Sequence, residues 1–262
     1  MQRRRFLATS ILGSAAALSR TSLAQQPPAP SREYYLLRRY ALQSGPQTGL
    51  SEHYISDALI PALTRRGLGP VGAFQLDIGP DTPAHYVLIP GRSPETLATL
   101  DLDLAEDAEF LKAGEPFWTA PATNPSFKRA ESWLLGAFDG WPRLTPPPNS
   151  KAKRILQLRT YESPSDRDHV RKVEMFHVGE FDIFLKAGFH PVFYSSTLIG
   201  AGMPSLTYML AFSDMAEADA KWNVFRTDPA WKKLSADPRY AFESIVSNIT
   251  NLYLSPLAAS HI

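Results

Sequence analysis

Residues 36–43, Leu-Leu-Arg-Arg-Tyr-Ala-Leu-Gln, and residues 156–163, Leu-Gln-Leu-Arg-Thr-Tyr-Glu-Ser, each open a long segment with an arginine and a tyrosine two positions apart. Sliding the chain on itself by 121 residues, the separation of Arg38 and Arg159, superposes the two and carries the match onward. Tyr40 falls on Tyr161, Gly67 on Gly188, Pro70-Val71 on Pro191-Val192 and Ile78-Gly79 on Ile199-Gly200. Pro83 falls on Pro204, Asp107 on Asp228 and Lys112 on Lys233. The matched glycines and prolines stand at matched element ends, as a diverged duplication requires. No other feature constrains the fold as hard, because each half must then be the same supersecondary unit.

The second half shows which unit. Ile155 to Tyr161 alternates as a strand, and Val170, Val173, Phe176, Phe181 and Phe184 recur at helical spacing until Gly188 stops the helix. His190 to Ile199 and Ser205 to Phe212 read as strands. Met215, Ala218, Trp222 and Phe225 form the stripe of a second helix, and Ile245 to Leu254 closes as a strand. Asp228-Pro229 and Asp237-Pro238 are cap-then-proline helix starts. The order βαββαβ is the ferredoxin-like unit. Its helices cover one face of the sheet and leave the other needing a partner, which the second copy supplies. The chain divides into repeats at 32–144 and 153–257, joined by a stiff linker at 145–152 around Pro146-Pro147-Pro148.

Residues 1–24 read as a cleavable export signal: Arg3-Arg4-Arg5, an apolar run from Phe6 to Leu18, then Ser22-Leu23-Ala24. Arg3-Arg4-Arg5-Phe6-Leu7 resembles the twin-arginine signal of bacteria, so the expected location is periplasmic or secreted. A Pro-rich leader follows at 25–31. The apolar run is too short to span a bilayer, and no membrane span is expected after cleavage. Loss of Arg3, Arg4, Arg5 and Arg20 takes the 27 basic residues to 23 against 26 acidic ones, a net charge of −3. That balance argues against nucleic acid or an anionic membrane as partner. The cysteine count of 0 removes disulfides, thiolate metal sites and thiol nucleophiles.

Leu158-Arg159-Thr160-Tyr161, Phe184-Leu185-Lys186-Ala187-Gly188-Phe189 and Leu206-Thr207-Tyr208-Met209-Leu210-Ala211-Phe212 resemble the NIPSNAP family. Trp222, Phe225-Arg226, Asp228-Pro229, Trp231 and the closing Asn251-Leu252-Tyr253-Leu254-Ser255-Pro256-Leu257 extend the resemblance over most of residues 153–257. Over residues 32–144 it rests on Arg38, Tyr40 and the outline of one helix at Leu104 to Phe110. The resemblance implies an α+β fold in which the tandem ferredoxin-like repeats pack as an intrachain dimeric α/β barrel, two sheets facing each other across a lumen. Its wider superfamily includes cofactor-independent monooxygenases and haem proteins. The NIPSNAP family has no settled reaction, so it assigns no catalytic residues.

On the strand 155–161, Leu156, Leu158 and Thr160 share one face, and Ile155, Gln157, Arg159 and Tyr161 the other. The apolar face is expected under the helices, which turns Arg159 and Tyr161, with Arg38 and Tyr40 from the first half, into the lumen. A guanidinium in a partly dry cavity needs an anionic partner, either a ligand or a protein carboxylate. The candidate ligand-binding set is Arg38, Tyr40, Arg159 and Tyr161, with His177, His190 or Tyr208 on the wall. Glu174-x-x-His177 occurs once where di-iron sites use it twice, so no metal is expected. No cofactor is expected either; haem is the alternative, with His177 as its axial ligand. Trp222, Phe225 and Trp231 read as core. No phosphate loop, nucleophile elbow or zinc helix occurs. Two functions remain: a lumen that binds a small anionic or aromatic molecule, with or without cofactor-independent oxygenation of it, or a non-catalytic binding or assembly module whose lumen its own side chains fill. The oligomeric state stays open.

Overall fold

A computed structural model describes residues 32–148 and 153–262. The expected signal at 1–24, the leader at 25–31 and residues 149–152 of the linker lie outside the described residues. Eight strands form a closed antiparallel barrel: β1 (Tyr34–Ala41), β2 (Gly72–Ile78), β3 (Ala84–Gly91), β4 (Arg129–Ala137), β5 (Ile155–Glu162), β6 (His190–Ile199), β7 (Ser205–Phe212) and β8 (Asn248–Pro256). Around the barrel they run β1-β3-β2-β8-β5-β7-β6-β4. Each half contributes four neighbours in the ferredoxin-like order, β4-β1-β3-β2 and β8-β5-β7-β6. The halves join through β2–β8 and β4–β6, so both sheets lose their free edges to each other. The expected dimeric α/β barrel is therefore built inside one chain.

The repeat extends to the helix ends. The helix of residues 46–65 stops at Gly67 (φ 68°), where the Leu68 and Gly67 amides donate to the Leu63 and Thr64 carbonyls at 3.0 and 3.0 Å. The helix of residues 166–186 stops at Gly188 (φ 80°), with Phe189 and Gly188 donating to Phe184 and Leu185 at 3.1 and 3.0 Å. Both are Schellman closures, and both need a residue that enters the left-handed region without strain. Each helix also carries one π-helical turn, Tyr54–Leu59 in the first half and Phe176–Glu180 in the second. Asp107 and Asp228, matched in sequence, both cap helices: Asp107 accepts from the Phe110 amide at 2.9 Å, Asp228 from the Ala230 amide at 2.7 Å.

Three apolar layers stack through the molecule. The helices of the first half cover Leu36, Tyr40, Val87 and Ile89, and those of the second, through Phe176 and Phe184, cover Tyr161, Tyr208 and Leu210. Between the sheets lies a dry lumen filled by Tyr35, Leu37, Phe74, Leu156, Leu158, Phe193, Met209, Leu252 and Leu254, with Ile262 packed among them. This reverses the expected strand parity. Leu156 and Leu158 face the lumen, while Arg159 and Tyr161, and likewise Arg38 and Tyr40, face the helices. The reason is burial. The side of a sheet that meets another sheet all round a closed barrel is the drier one, so it takes the aliphatic residues. The helix-covered side opens at its margins and tolerates polar groups. No described helix is long and apolar enough to cross a membrane.

Candidate functional site

Because the arginines point outward from the lumen, the candidate set does not meet in one chamber. It divides between two pockets, one per half, each between sheet and helices. The second-half pocket has a volume of about 380 Å³ and is lined by Arg159, Tyr161, Lys172, Glu180, Trp222 and Phe225 among others. Arg159 sits midway along β5, opposite Tyr208 on β7 and Asn251 on β8. Its Nη2 donates to the Tyr161 hydroxyl at 2.9 Å, and that hydroxyl lies 3.0 Å from the hydroxyl of Tyr208. Burial pushes the Tyr208 phenol well above its ordinary value, so it stays protonated. Among the described residues no carboxylate pairs with Arg159, and its buried Nε has no acceptor.

The wall over Arg159 is aromatic. The Trp222 indole lies over the guanidinium with 4.7 Å between Arg159 Cζ and the ring centre. Gln157 holds that indole: its Oε1 accepts from Trp222 Nε1 at 2.8 Å, while its amide donates to Asn251 and Tyr253 at 2.8 and 3.0 Å. The floor is an ion pair. Lys172 and Glu180, each 2% exposed, meet at 2.7 Å. Burial raises the Glu180 carboxyl, and Lys172 opposes that rise. Sequence periodicity passed over this pair, although a Lys and a Glu interrupting an apolar helical stripe was the available signal. Trp222, read as core, does pack against Phe184, Phe189 and Phe225, and its ring also covers the guanidinium.

The first-half pocket, about 540 Å³, is lined by Arg38, Tyr40, Tyr54, Asp101, Phe117, Trp118 and Ser132 among others. Here the arginine is satisfied. Nη1 and Nη2 of Arg38 donate to the two Asp101 oxygens at 2.9 and 2.9 Å, and Nε donates to Ser132 Oγ at 3.2 Å. At the place of Lys172 the first half has Ser51, bonded to His85 Nδ1 at 3.1 Å. Burial lowers the His85 imidazole to about 4.

Tyr208 stands behind Tyr161, in contact with its hydroxyl but outside the lining of the second pocket, and neither histidine joins them. His177 lies outside, on the π turn. Its Nδ1 donates to the Val173 carbonyl at 2.8 Å and its Nε2 accepts from the Gly140 amide at 3.1 Å. With both ring nitrogens engaged it fastens the second half to the loop after β4. His190 is exposed at the start of β6. Strand parity misplaced the set because alternation reports which residues share a face, not which face is wet. A third cavity, about 260 Å³, opens at one mouth of the lumen between Leu37, Arg39, Tyr86, Trp133, Leu158 and Thr207 among others. Its Arg39 is paired with both Asp81 and Glu131, at 2.9 and 2.8 Å.

Comparison with known proteins follows this division into halves. No curated protein matches the chain. Among solved structures, a candidate monooxygenase from Lactobacillus acidophilus NCFM is similar at 9% identity with a TM-score of 0.56, covering 86% of this chain and 94% of its own. A candidate monooxygenase from Fusobacterium nucleatum subsp. nucleatum ATCC 25586 is similar at 8% identity and TM-score 0.55, with 87% and 93% covered. At such identities the likeness is one of fold. A NIPSNAP family protein of unknown function from Agrobacterium tumefaciens strain C58 matches 41% of this chain over 91% of its own, at 16% identity and TM-score 0.36. The NIPSNAP family model matches residues 154–261. That match falls on the second half of the chain, which holds the arginine pocket and is closed into a barrel by a first half of the same strand order.

Proposed function

We propose that the protein binds a small organic anion with an aromatic or other flat body in the second-half pocket, with Arg159 as its anchor. The observation that carries this reading is the arginine's own environment. A guanidinium set in a pocket, roofed by an indole and left without a carboxylate is short of one negative partner, and the ligand supplies it. Lys172 and Glu180 neutralise each other on the floor, while Trp222, Phe225 and Trp231 offer flat apolar contact.

A second reading gives the same pocket cofactor-independent oxygenase-like chemistry. Glu180 favours it. A carboxylate with a raised pKa on the pocket floor is suited to take a proton from a bound acid, and Arg159 is placed to hold the anion that remains. The competing module reading rests on the lumen, which side chains largely fill, but it leaves Arg159 without a purpose.

Calorimetric titration with a panel of small aromatic acids, phenols and amides tests the binding reading, with Arg159→Met as control. The expected result is saturable binding that weakens in the variant by about 1.5–3 kcal/mol, the worth of a charged hydrogen bond. Equal binding by both proteins would reject it. Oxygen uptake with the ligands so found tests the second reading, with Glu180→Gln expected to abolish uptake while binding survives.

A further inference from the structure

We infer that the ligand of the second-half pocket is a monocarboxylate, that its carboxylate docks on Arg159 as Asp101 docks on Arg38, and that the first-half pocket is the same site occupied by the chain's own side chain. The inference rests on the reading of the second pocket as a ligand site and adds the ligand's chemical class.

The argument starts from positional equivalence. Arg38 lies opposite Val87 on β3 and Ser132 on β4, and Arg159 opposite Tyr208 on β7 and Asn251 on β8. The same 121-residue step that takes Arg38 to Arg159 takes Val87 to Tyr208 and Asp101 to Trp222. Asp101 lies on the short helix Leu100–Leu104 and Trp222 on the helix Met215–Thr227, in the matching crossovers of the two halves. One crossover therefore delivers a carboxylate to the edge of its arginine, and the other delivers an indole to the face.

That difference decides what is left over. In the first half the fork of Arg38 is filled by two parallel bonds to one carboxylate, and Ser132 takes the remaining Nε. In the second half Trp222 covers the flat face, and Tyr161 takes one Nη2 hydrogen. Tyr208 also interacts with the guanidinium, the buried Nε of Arg159 has no acceptor, and no carboxylate bonds it among the described residues. A planar fork of donors fits a planar carboxylate, and Asp101 on Arg38 shows that fit within this same molecule. Charge sets the number. Lys172 and Glu180 form an ion pair on the floor, and the other charged lining residues besides Arg159 are one acid, Asp219, and one base, Arg226, so Arg159 leaves the pocket one positive charge in excess. A single carboxylate balances it.

The probes are benzoate and 2-naphthoate with their carboxamides, titrated calorimetrically into the intact mature protein. Each acid is expected to bind at least tenfold more tightly than its amide, at one equivalent, and Arg159→Gln should erase that preference. Asp101→Ala should raise the stoichiometry of acid binding from one to two by freeing Arg38. Asp101→Asn, which keeps the shape and removes the charge, serves the same purpose if the alanine variant does not fold. Amides that bind as tightly as acids would overturn the carboxylate assignment and leave the pocket's ligand role standing. Acid binding that stays at one equivalent in both folded Asp101 variants would overturn the twin-site relation. Failure of acids and amides alike would overturn the inference as a whole, while the wider ligand panel decides separately whether the pocket binds anything.

Discussion

At position 101 the first half presents a carboxylate to Arg38; at the matching position 222 the second presents an indole to Arg159. Ser51 and His85 under the first helix give way to Lys172 in the second, and Leu59 gives way to Glu180. Both halves keep the strand order, the π turn and the glycine closure. The halves thus agree in what the barrel needs and differ in what faces the pockets. The first half pairs its pocket arginine within the chain. The second binds its carboxylate to its lysine and leaves the arginine to the outside. A fold that closes on itself needs symmetry only in its sheets, so one pocket is free to specialise.

The contrast breaks most severely at the buried ion pair. Glu180→Leu copies the first half's Leu59 but strands Lys172, and should lower stability by about 3–5 kcal/mol in urea unfolding. Adding Lys172→Met should recover most of that loss, because an apolar pair of similar volume removes the uncompensated charge. A single variant within about 1 kcal/mol of wild type would mean that water already reaches the pair, against the rule for a buried ion.

His85 gives the next effect. Its folded pKa of about 4 lies below the ordinary 6.5, so between these values the unfolded chain binds a proton that the fold refuses. The stabilising contribution is complete above pH 6.5 and lost as pH falls through 4, a swing of about 3 kcal/mol. Unfolding measured across that window should flatten in His85→Leu, the residue that the second half has at the matched Leu206. An unchanged slope would assign the acid sensitivity elsewhere.

Arg38→Met and Arg159→Met sharpen the comparison at smaller scale. The first removes three hydrogen bonds and should lower stability by about 1–2 kcal/mol. The second breaks no carboxylate pair and should leave thermal stability nearly unchanged. Equal losses would mean that Arg159 has a structural partner after all. Smallest and most alike should be Gly67→Ala and Gly188→Ala, each about 1 kcal/mol, because the two left-handed closures share one geometry. A large difference between them would show that the halves have diverged in their helix ends as well as in their pockets.

Much of this was legible beforehand. Gly188 as a helix stop, the strand at 205–212 and the pairing of Asp107 with Asp228 follow from local chemistry that the backbone cannot evade. Arg159 and Tyr161 do line one pocket, with Tyr208 bonded behind Tyr161, and Arg38 with Tyr40 line its twin. Lys172, Glu180, Gln157 and the indole of Trp222 were missed. A side chain's role in a pocket depends on which neighbours arrive from distant segments, and an apolar stripe does not announce that one of its members will roof a guanidinium.

The sequence by itself determined the repeat, the βαββαβ order and the pairing of arginine with tyrosine on each first strand. These depend on short-range periodicity and on glycine and proline conformations written along the chain. Only the tertiary structure decided which face of β5 is inside. Leu156 and Arg159 alternate whichever way the strand turns, and the choice between them is made by the other sheet. Closing the barrel creates an interior from which water is excluded on every side. Leu156 and Leu158 lose least there, and Arg159 is left on the side where the helices part and a pocket opens.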